Sequence, residues 1–151
     1  MVCMTLKVGD KAPDFTGLTD NGERINLSEK LKEGPVVLYF YPKDETPGCT
    51  AEACSFRDNW EDIRKLGATV LGVSSDSVES HKNFKSNRNL QFTLISDEKK
   101  EIRKAYGATA TLIPPRVTFV IDKEGLIREV YNSQLNATHH VNVAVKSLKS
   151  L

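Results

Sequence analysis

The stretch Val36-Val37-Leu38-Tyr39-Phe40-Tyr41-Pro42-Lys43-Asp44-Glu45-Thr46-Pro47-Gly48-Cys49-Thr50-Ala51-Glu52-Ala53-Cys54 decides the architecture. Its first six residues are a continuous apolar run, all but Leu38 β-branched or aromatic, the pattern of a strand buried on both faces. Thr46 is a good N-cap residue and Pro47 suits the first helical position, which sets the start of a helix. Apolar residues then recur at Cys49, Ala53, Phe56, Trp60 and Ile63, one face of a single helix that Gly67 would stop.

Working outward, the same alternation continues. Asp14 to Leu27 reads as a hairpin turning at Asp20-Asn21-Gly22. Thr69 to Ser74 is a second buried strand, followed by a more polar helix from Val78 to Arg88 and a short strand from Phe92 to Ile95. Asp97 is positioned to cap a helix through Tyr106 that Gly107 stops. Val117 to Ile121 and Leu126 to Tyr131 pair across Asp122-Lys123-Glu124-Gly125, and Thr138 caps a last helix with Val141, Ala144, Val145 and Leu148 on one face. Strands alternating with helices predict an α/β domain whose partly parallel sheet is covered on both faces. No repeat, linker or low-complexity tract interrupts the chain, so residues 1–151 read as one domain.

Composition excludes several classes of function. The 21 basic and 20 acidic residues leave a formal net charge of +1 with no extended basic patch, which gives no reason to expect nucleic acid as a partner. No run of about 18 apolar residues is present, so no membrane span is expected. The start, Met1-Val2-Cys3-Met4-Thr5-Leu6, lacks a signal-peptide pattern. Three cysteines without a disulfide framework suit a reducing compartment, and the cytoplasm is the expected location. Cys3 reads as incidental.

The chemistry concentrates at Cys49. With Thr46 as N-cap, Cys49 falls at the third helical position, where a capping box places an acceptor. The Thr46 hydroxyl is expected to donate to a Cys49 thiolate, and the unpaired N–H groups and positive end of the helix dipole favour the same charge. Free cysteine titrates near ~8.5 and such settings lower it; the thiolate is the reactive form. Cys54, at ~100° per residue, is turned roughly 140° from Cys49, beside Asp58, Glu61 and Lys65. Arg116 follows Pro114-Pro115 at the start of a buried strand, where a guanidinium could reach a thiolate. His139 and His140 read as surface or packing residues, and His81 as a helix-face residue. Two cysteines at this spacing with scattered histidines make a poor zinc set.

These residues carry a resemblance. Pro42-x-x-x-Thr46-x-x-Cys49 matches the peroxiredoxin active-site pattern. Gly48-Cys49-Thr50-x-Glu52-x-Cys54 with Phe56-Arg57-Asp58 resembles the bacterioferritin comigratory protein, or peroxiredoxin Q, subgroup. Similarity extends through Gly9 to Phe15, Phe92 to Asp97, Tyr106-Gly107, Arg116-x-Thr118-Phe119-x-Ile121-Asp122 and Asn136-x-x-His139-His140. Ile113-Pro114-Pro115 departs from the pattern just before Arg116.

The resemblance implies a thioredoxin-like fold, a central mixed sheet flanked by helices with an N-terminal β-hairpin extension. It also implies reduction of hydrogen peroxide and organic hydroperoxides without metal or other cofactor. By motif position Cys49 is the peroxidatic cysteine and Cys54 the resolving one, joined in an intramolecular disulfide that a thioredoxin-like donor reduces. Pro42 would shield the pocket, Thr46 and Arg116 would hold and polarise the reactants, and Glu52 would orient Arg116. A monomer or weak homodimer is expected. Three rivals differ in kind. A thioredoxin-type oxidoreductase would carry Cys-x-x-Cys, where this chain has Cys-x-x-x-x-Cys. A glutathione peroxidase-like enzyme would carry a cysteine-glycine-leucine-threonine signature, which is not found. A redox sensor would keep the thiols without steady turnover.

Overall fold

The computed structural model describes residues 6–110 and 113–151; Cys3 lies outside them. The apolar run that opens the argument becomes strand β3 (Val36–Phe40), and all five residues are buried. Its alternation serves two cores at once. Val37 and Tyr39 join Tyr41 in one cluster, while Val36, Leu38 and Phe40 enter another on the opposite face. A strand covered on both sides has no position for a polar side chain, which is why its pattern is continuous.

Seven strands form one mixed sheet. The hairpin β1 (Thr16–Thr19) and β2 (Arg24–Asn26) lies at one edge, followed inward by β5 (Thr93–Ser96), β4 (Thr69–Ser74) and β3, then β6 (Val117–Ile121) and β7 (Ile127–Asn132). β3–β4 and β4–β5 run parallel; the other pairs are antiparallel. Tyr39 stands opposite Gly72, and a Cβ on that glycine would lie 2.8 Å from the Tyr39 ring. The missing side chain lets the ring lie across β4 and stack on Phe56 at 4.6 Å between centroids. Such pairs add about 0.5–1.5 kcal/mol beyond the area they bury.

The long helix expected from Cys49 to Ile63 is two: α2 (Pro47–Asp58) and α3 (Trp60–Lys65). Asn59 leaves helical geometry between them, and its side-chain amide donates to the Ser55 carbonyl at 2.8 Å, a local bond that competes with the helix ladder. The polar helix is α4 (Val78–Arg88), capped by Ser77. A five-residue helix absent from the sequence expectation, α1 (Leu27–Leu31), follows the hairpin and is capped by Asn26. Asp97 does not sit at a helix N-cap. Its carboxylate reaches over a turn, with Lys100 at φ 61°, to the N–H groups of Ile102 and Arg103, and α5 is only Glu101–Ala105. Thr138 precedes the last helix, α6 (His139–Lys149), with helical backbone angles and no side-chain cap bond. Strands β4 to β7 start within one residue of their expected places. No helix among the described residues is long and apolar enough to cross a membrane.

Candidate active site

Register places the site. In the antiparallel β3–β6 pair, Phe40 stands opposite Val117. The loop leaving β3 (Tyr41 to Thr46) and the segment entering β6 (Pro114 to Arg116) therefore meet at one end of the sheet. Arg103, 1 % exposed, staples them. It donates to the Tyr41 carbonyl at 2.6 Å and to the Pro115 and Ala108 carbonyls at 3.2 and 3.1 Å. Burial lowers its guanidinium to about 10, against the charge of Asp97, and it stays a cation at neutral pH. The residues Ile113-Pro114-Pro115 do not displace Arg116; Gln134 Nε2 also holds the Pro114 carbonyl at 2.8 Å.

Cys49 is in the first turn of α2, 1 % exposed. Arg116 Nη1 lies 3.5 Å from its sulfur and 2.7 Å from Glu52 Oε1, one turn along the same helix, while Nε reaches the Gln134 carbonyl at 3.4 Å. Arg116 and Glu52 are buried with it. Burial pulls the Arg116 guanidinium down, but Glu52 and Cys49 outweigh that and hold it above its usual range. Burial pushes Glu52 up to about 8, only partly opposed by Arg116. The close approach of Arg116 depends on Gly48, where a Cβ would stand 2.8 Å from Nη2.

The structure brings together Cys49, Glu52 and Arg116 as the sequence anticipated. Pro42 is half-buried at the start of the loop. Thr46 differs from expectation. It is the N-cap of α2, but its hydroxyl makes no cap bond and donates to the Lys43 carbonyl at 2.8 Å. Its proton is committed there, so it does not donate to the sulfur. Cys54 is half-exposed on α2, and both thiols are free.

Sequence reasoning missed three contributors. Arg103 is one. His81, read as a helix-face residue, is fully buried, with Nε2 on the Ile95 carbonyl (2.9 Å) and Nδ1 on Asp44 (2.7 Å). Asp44 also accepts from Tyr41 and Ser80, and its N–H donates to Asp76. Ligand-type atoms of Asp44, Asp76 and His81 lie within 4.8 Å of one another, but these bonds already occupy them. The group is a clamp that fixes the loop before Thr46 onto α4. The third is His140, read with His139 as a surface or packing residue: it is buried beside Glu52, whereas His139 is exposed. A hollow of about 460 Å³ lined by Arg128, His139, Lys146 and Ser150 includes none of the residues around Cys49.

Comparison with known proteins agrees with this geometry. Residues 8–130 match the model of the AhpC/TSA family. The chain is a peroxiredoxin. Over its whole length it is 46 % identical to peroxiredoxin Q, chloroplastic, of Oryza sativa subsp. japonica, covering 70 % of that protein. The peroxiredoxin Q of Arabidopsis thaliana, also chloroplastic, is 47 % identical over 94 % of this chain and 67 % of its own. Among solved structures, peroxidoxin BcpB from Mycobacterium tuberculosis superposes with a TM-score of 0.93 at 34 % identity, over 97 % of this chain and 98 % of that one. Peroxiredoxin Q from Xanthomonas campestris gives 0.86 at 30 %, over 97 % of each. The fold is thioredoxin-like with the hairpin extension, and the peroxiredoxin is a thiol-dependent peroxidase.

The contact at Gly48 makes a prediction with opposite signs. Gly48→Ala favours the helix by about 0.5–1 kcal/mol. The same methyl must displace Arg116, whose other nitrogen is tied to Glu52 and so does not yield freely. The peroxide rate is expected to fall roughly tenfold to a hundredfold, the scale of losing one preorganised donor. Helix content by circular dichroism should be unchanged. An active Gly48→Ala enzyme would show that Arg116 is not held where the reaction needs it.

Proposed function

We propose that Cys49 is the peroxidatic thiolate, that Cys54 resolves it, and that a thioredoxin-like protein returns the disulfide to dithiol. The observation that carries this reading is the Arg116 guanidinium, buried and shared between the Cys49 sulfur and Glu52.

The Cys49 thiolate attacks one oxygen of the hydroperoxide in line with the O–O bond. The bond breaks, its electron pair leaves on the other oxygen as hydroxide or alkoxide, and that oxygen takes a proton. Sulfur is oxidised to sulfenic acid and the peroxide reduced to water or alcohol and water over the full cycle. Arg116 and the N–H groups of the first turn of α2 are in place before charge builds on the departing oxygen, which is where fixed donors lower a barrier most. Thiolate fraction alone does not explain the rate, because nucleophilicity falls as thiol pKa falls. Cys54 then attacks the sulfenic sulfur, releasing water and forming the disulfide. Both hydrogen peroxide and organic hydroperoxides fit this chemistry; a structure of the Xanthomonas campestris bacterioferritin comigratory protein is described for its alkyl peroxide reduction activity. The cycle needs one chain, as a monomer or weak homodimer would supply, and a reducing compartment. The cytoplasm is our reading, while the plant relatives are chloroplastic.

Thr46 acts here as an acceptor. Since its proton goes to the Lys43 carbonyl, its oxygen is free to accept from the hydroxyl of the peroxide and align it. Thr46→Val removes one neutral hydrogen bond, about 0.5–1.5 kcal/mol of stability. The peroxide rate should fall by on the order of a hundredfold. A wild-type rate in that variant would remove Thr46 from the site. Mass spectrometry after one equivalent of peroxide tests the whole scheme. The expected product is a chain two hydrogens lighter, cleaved to a Cys49–Cys54 peptide pair and restored by dithiol. Oxidation confined to any other residue would overturn it.

A further inference from the structure

We propose that His81 is a positioning residue for the peroxide: its ring, a donor at both nitrogens, holds Asp44 against α4 and so sets where the Thr46 oxygen stands. The role rests on Thr46 being the acceptor for the peroxide hydroxyl, and adds what fixes that acceptor in place.

His81 is fully buried on α4, and both of its nitrogens face acceptors. Nε2 lies 2.9 Å from the Ile95 carbonyl, which only accepts, so this nitrogen carries a proton. Nδ1 lies 2.7 Å from Asp44 Oδ2, where a lone pair would face a carboxylate. The Tyr41 hydroxyl, 3.5 Å from Nδ1, gives its single proton to Asp44 Oδ1 instead. Ser80 Oγ donates to Asp44 Oδ2 at 2.8 Å. Donors converging on both oxygens favour the carboxylate form of Asp44, so the proton in the 2.7 Å bond belongs to the ring. His81 is therefore an imidazolium, and its bond to Asp44 is charge-assisted, the stronger kind. The N-terminal half of a helix disfavours a cation, and Asp44 offsets that. Two other charged groups face the pair. Asp76, after β4, accepts from the Asp44 N–H at 2.8 Å and from the Ser74 hydroxyl at 2.6 Å. Arg103 of α5 feels the charge of Asp76.

Asp44 lies two residues before Thr46. Glu45, between them, has φ 62°, the left-handed region that a residue with a side chain avoids. Released, Glu45 would relax to negative φ and turn Thr46 away. Two ties to α4 resist this. The Glu45 carboxylate accepts from Asn87 Nδ2 at 2.8 Å and from Arg88 Nη2 at 3.0 Å. That ion pair is exposed on both sides, where water and salt weaken it. The Asp44–His81 bond is shielded from both, so it is the stronger restraint. Cys49, Glu52 and Arg116 hold one another without α4, so loosening the loop should displace the peroxide and leave the thiolate in place.

The test uses a Cys3→Ser, Cys54→Ser background, in which single-turnover oxidation by peroxide and alkylation by iodoacetamide both report Cys49. His81→Gln keeps a donor for Ile95 and loses the one for Asp44; His81→Asn does the reverse. His81→Gln should slow oxidation by roughly tenfold to a hundredfold, the scale of a misplaced reactant. Alkylation, which needs no acceptor at Thr46, should keep the rate of the background protein. In a Thr46→Val background His81→Gln should cost less than about twofold, because residues acting through one group are not additive. His81→Asn should recover most of the loss. Ring nitrogen–proton spectra at neutral pH should show two ring protons on His81, and one in Asp44→Asn, where the amide becomes the donor. The proposal is overturned if alkylation falls together with oxidation, if His81→Gln costs as much in Thr46→Val as in its absence, if His81→Asn is as slow as His81→Gln, or if His81 shows a single ring proton. An undiminished rate in Thr46→Val would refute the reading of Thr46; a slow Thr46→Val beside an undiminished His81→Gln would refute the role of His81 alone.

Discussion

Cys49→Ser should abolish peroxide consumption while leaving the fold in place. Removing one fixed donor from an active site typically costs about 10²–10³ in rate. Here the nucleophile itself is lost, so the fall should exceed that and reach the uncatalysed rate. A serine hydroxyl does not ionise beside Arg116 near neutral pH, and oxygen is a poor nucleophile toward an O–O bond. The structural cost is small by comparison. The side chains are nearly isosteric, and burying a hydroxyl in place of a thiol costs about 1–3 kcal/mol by mutational measures. Arg116 keeps its 2.7 Å bond to Glu52, so the site should not collapse. Peroxide consumption with excess dithiol, alongside thermal unfolding, checks both halves. Substantial activity in a folded Cys49→Ser protein would move the chemistry to another residue.

The parts of this site that could be read from sequence are those written locally. The strand Val36 to Phe40 was legible because a two-sided core demands an unbroken apolar run. The start of α2 was legible because Thr46-Pro47 has a local meaning as a cap and first turn, and Cys49, Ala53 and Phe56 then fall inward. The Thr46 bond was not, because a hydroxyl has several acceptors in reach and the Lys43 carbonyl competes with the first turn. Arg103 looks like any charged residue in a short helix. What buries it is three carbonyls, from Tyr41, Ala108 and Pro115, that only the fold brings together. His140 is hidden for the same reason. Its partners Ser133, Thr118 and Glu52 lie on three separate elements, and nothing at Asn136 to Val141 announces which of two adjacent histidines turns inward. The helix α1 is too short to show a period.

Cys54→Ser should complete one turnover and then stall with Cys49 as sulfenic or sulfinic acid, because resolution requires α2 to open. Both cysteines lie in one unbroken helix. Five residues of ideal helix separate Cα atoms by roughly 8.6 Å and turn them about 140° apart. A disulfide needs Cα atoms within about 7 Å and side chains that converge. Cys49 points into the core, whereas Cys54 is half-exposed. Unwinding is bounded at the far end. Phe56 is fully buried and stacked on Tyr39, and Arg57 donates to the Arg88 carbonyl at 2.8 Å and accepts from Gln91. The segment that opens is thus Pro47 to about Ser55, and its opening pulls Glu52 away from Arg116. In the thiolate state that motion gives up the contacts of two acids with one guanidinium. Once sulfur carries a neutral sulfenic acid, the attraction of Arg116 for Cys49 is gone and the turn is held less tightly. Oxidation itself therefore favours the opening that resolution needs, while the folded turn is what peroxide attack needs. Without Cys54 the opened sulfenic acid finds no other thiol among the described residues. A second peroxide then reacts with it in the folded state and takes it to sulfinic acid. Intact mass after stoichiometric and then excess peroxide should show one added oxygen and then two in Cys54→Ser, against loss of two hydrogens in the wild type. Steady turnover by Cys54→Ser, or a Cys49–Cys54 disulfide in a structure with α2 unbroken, would refute the opening.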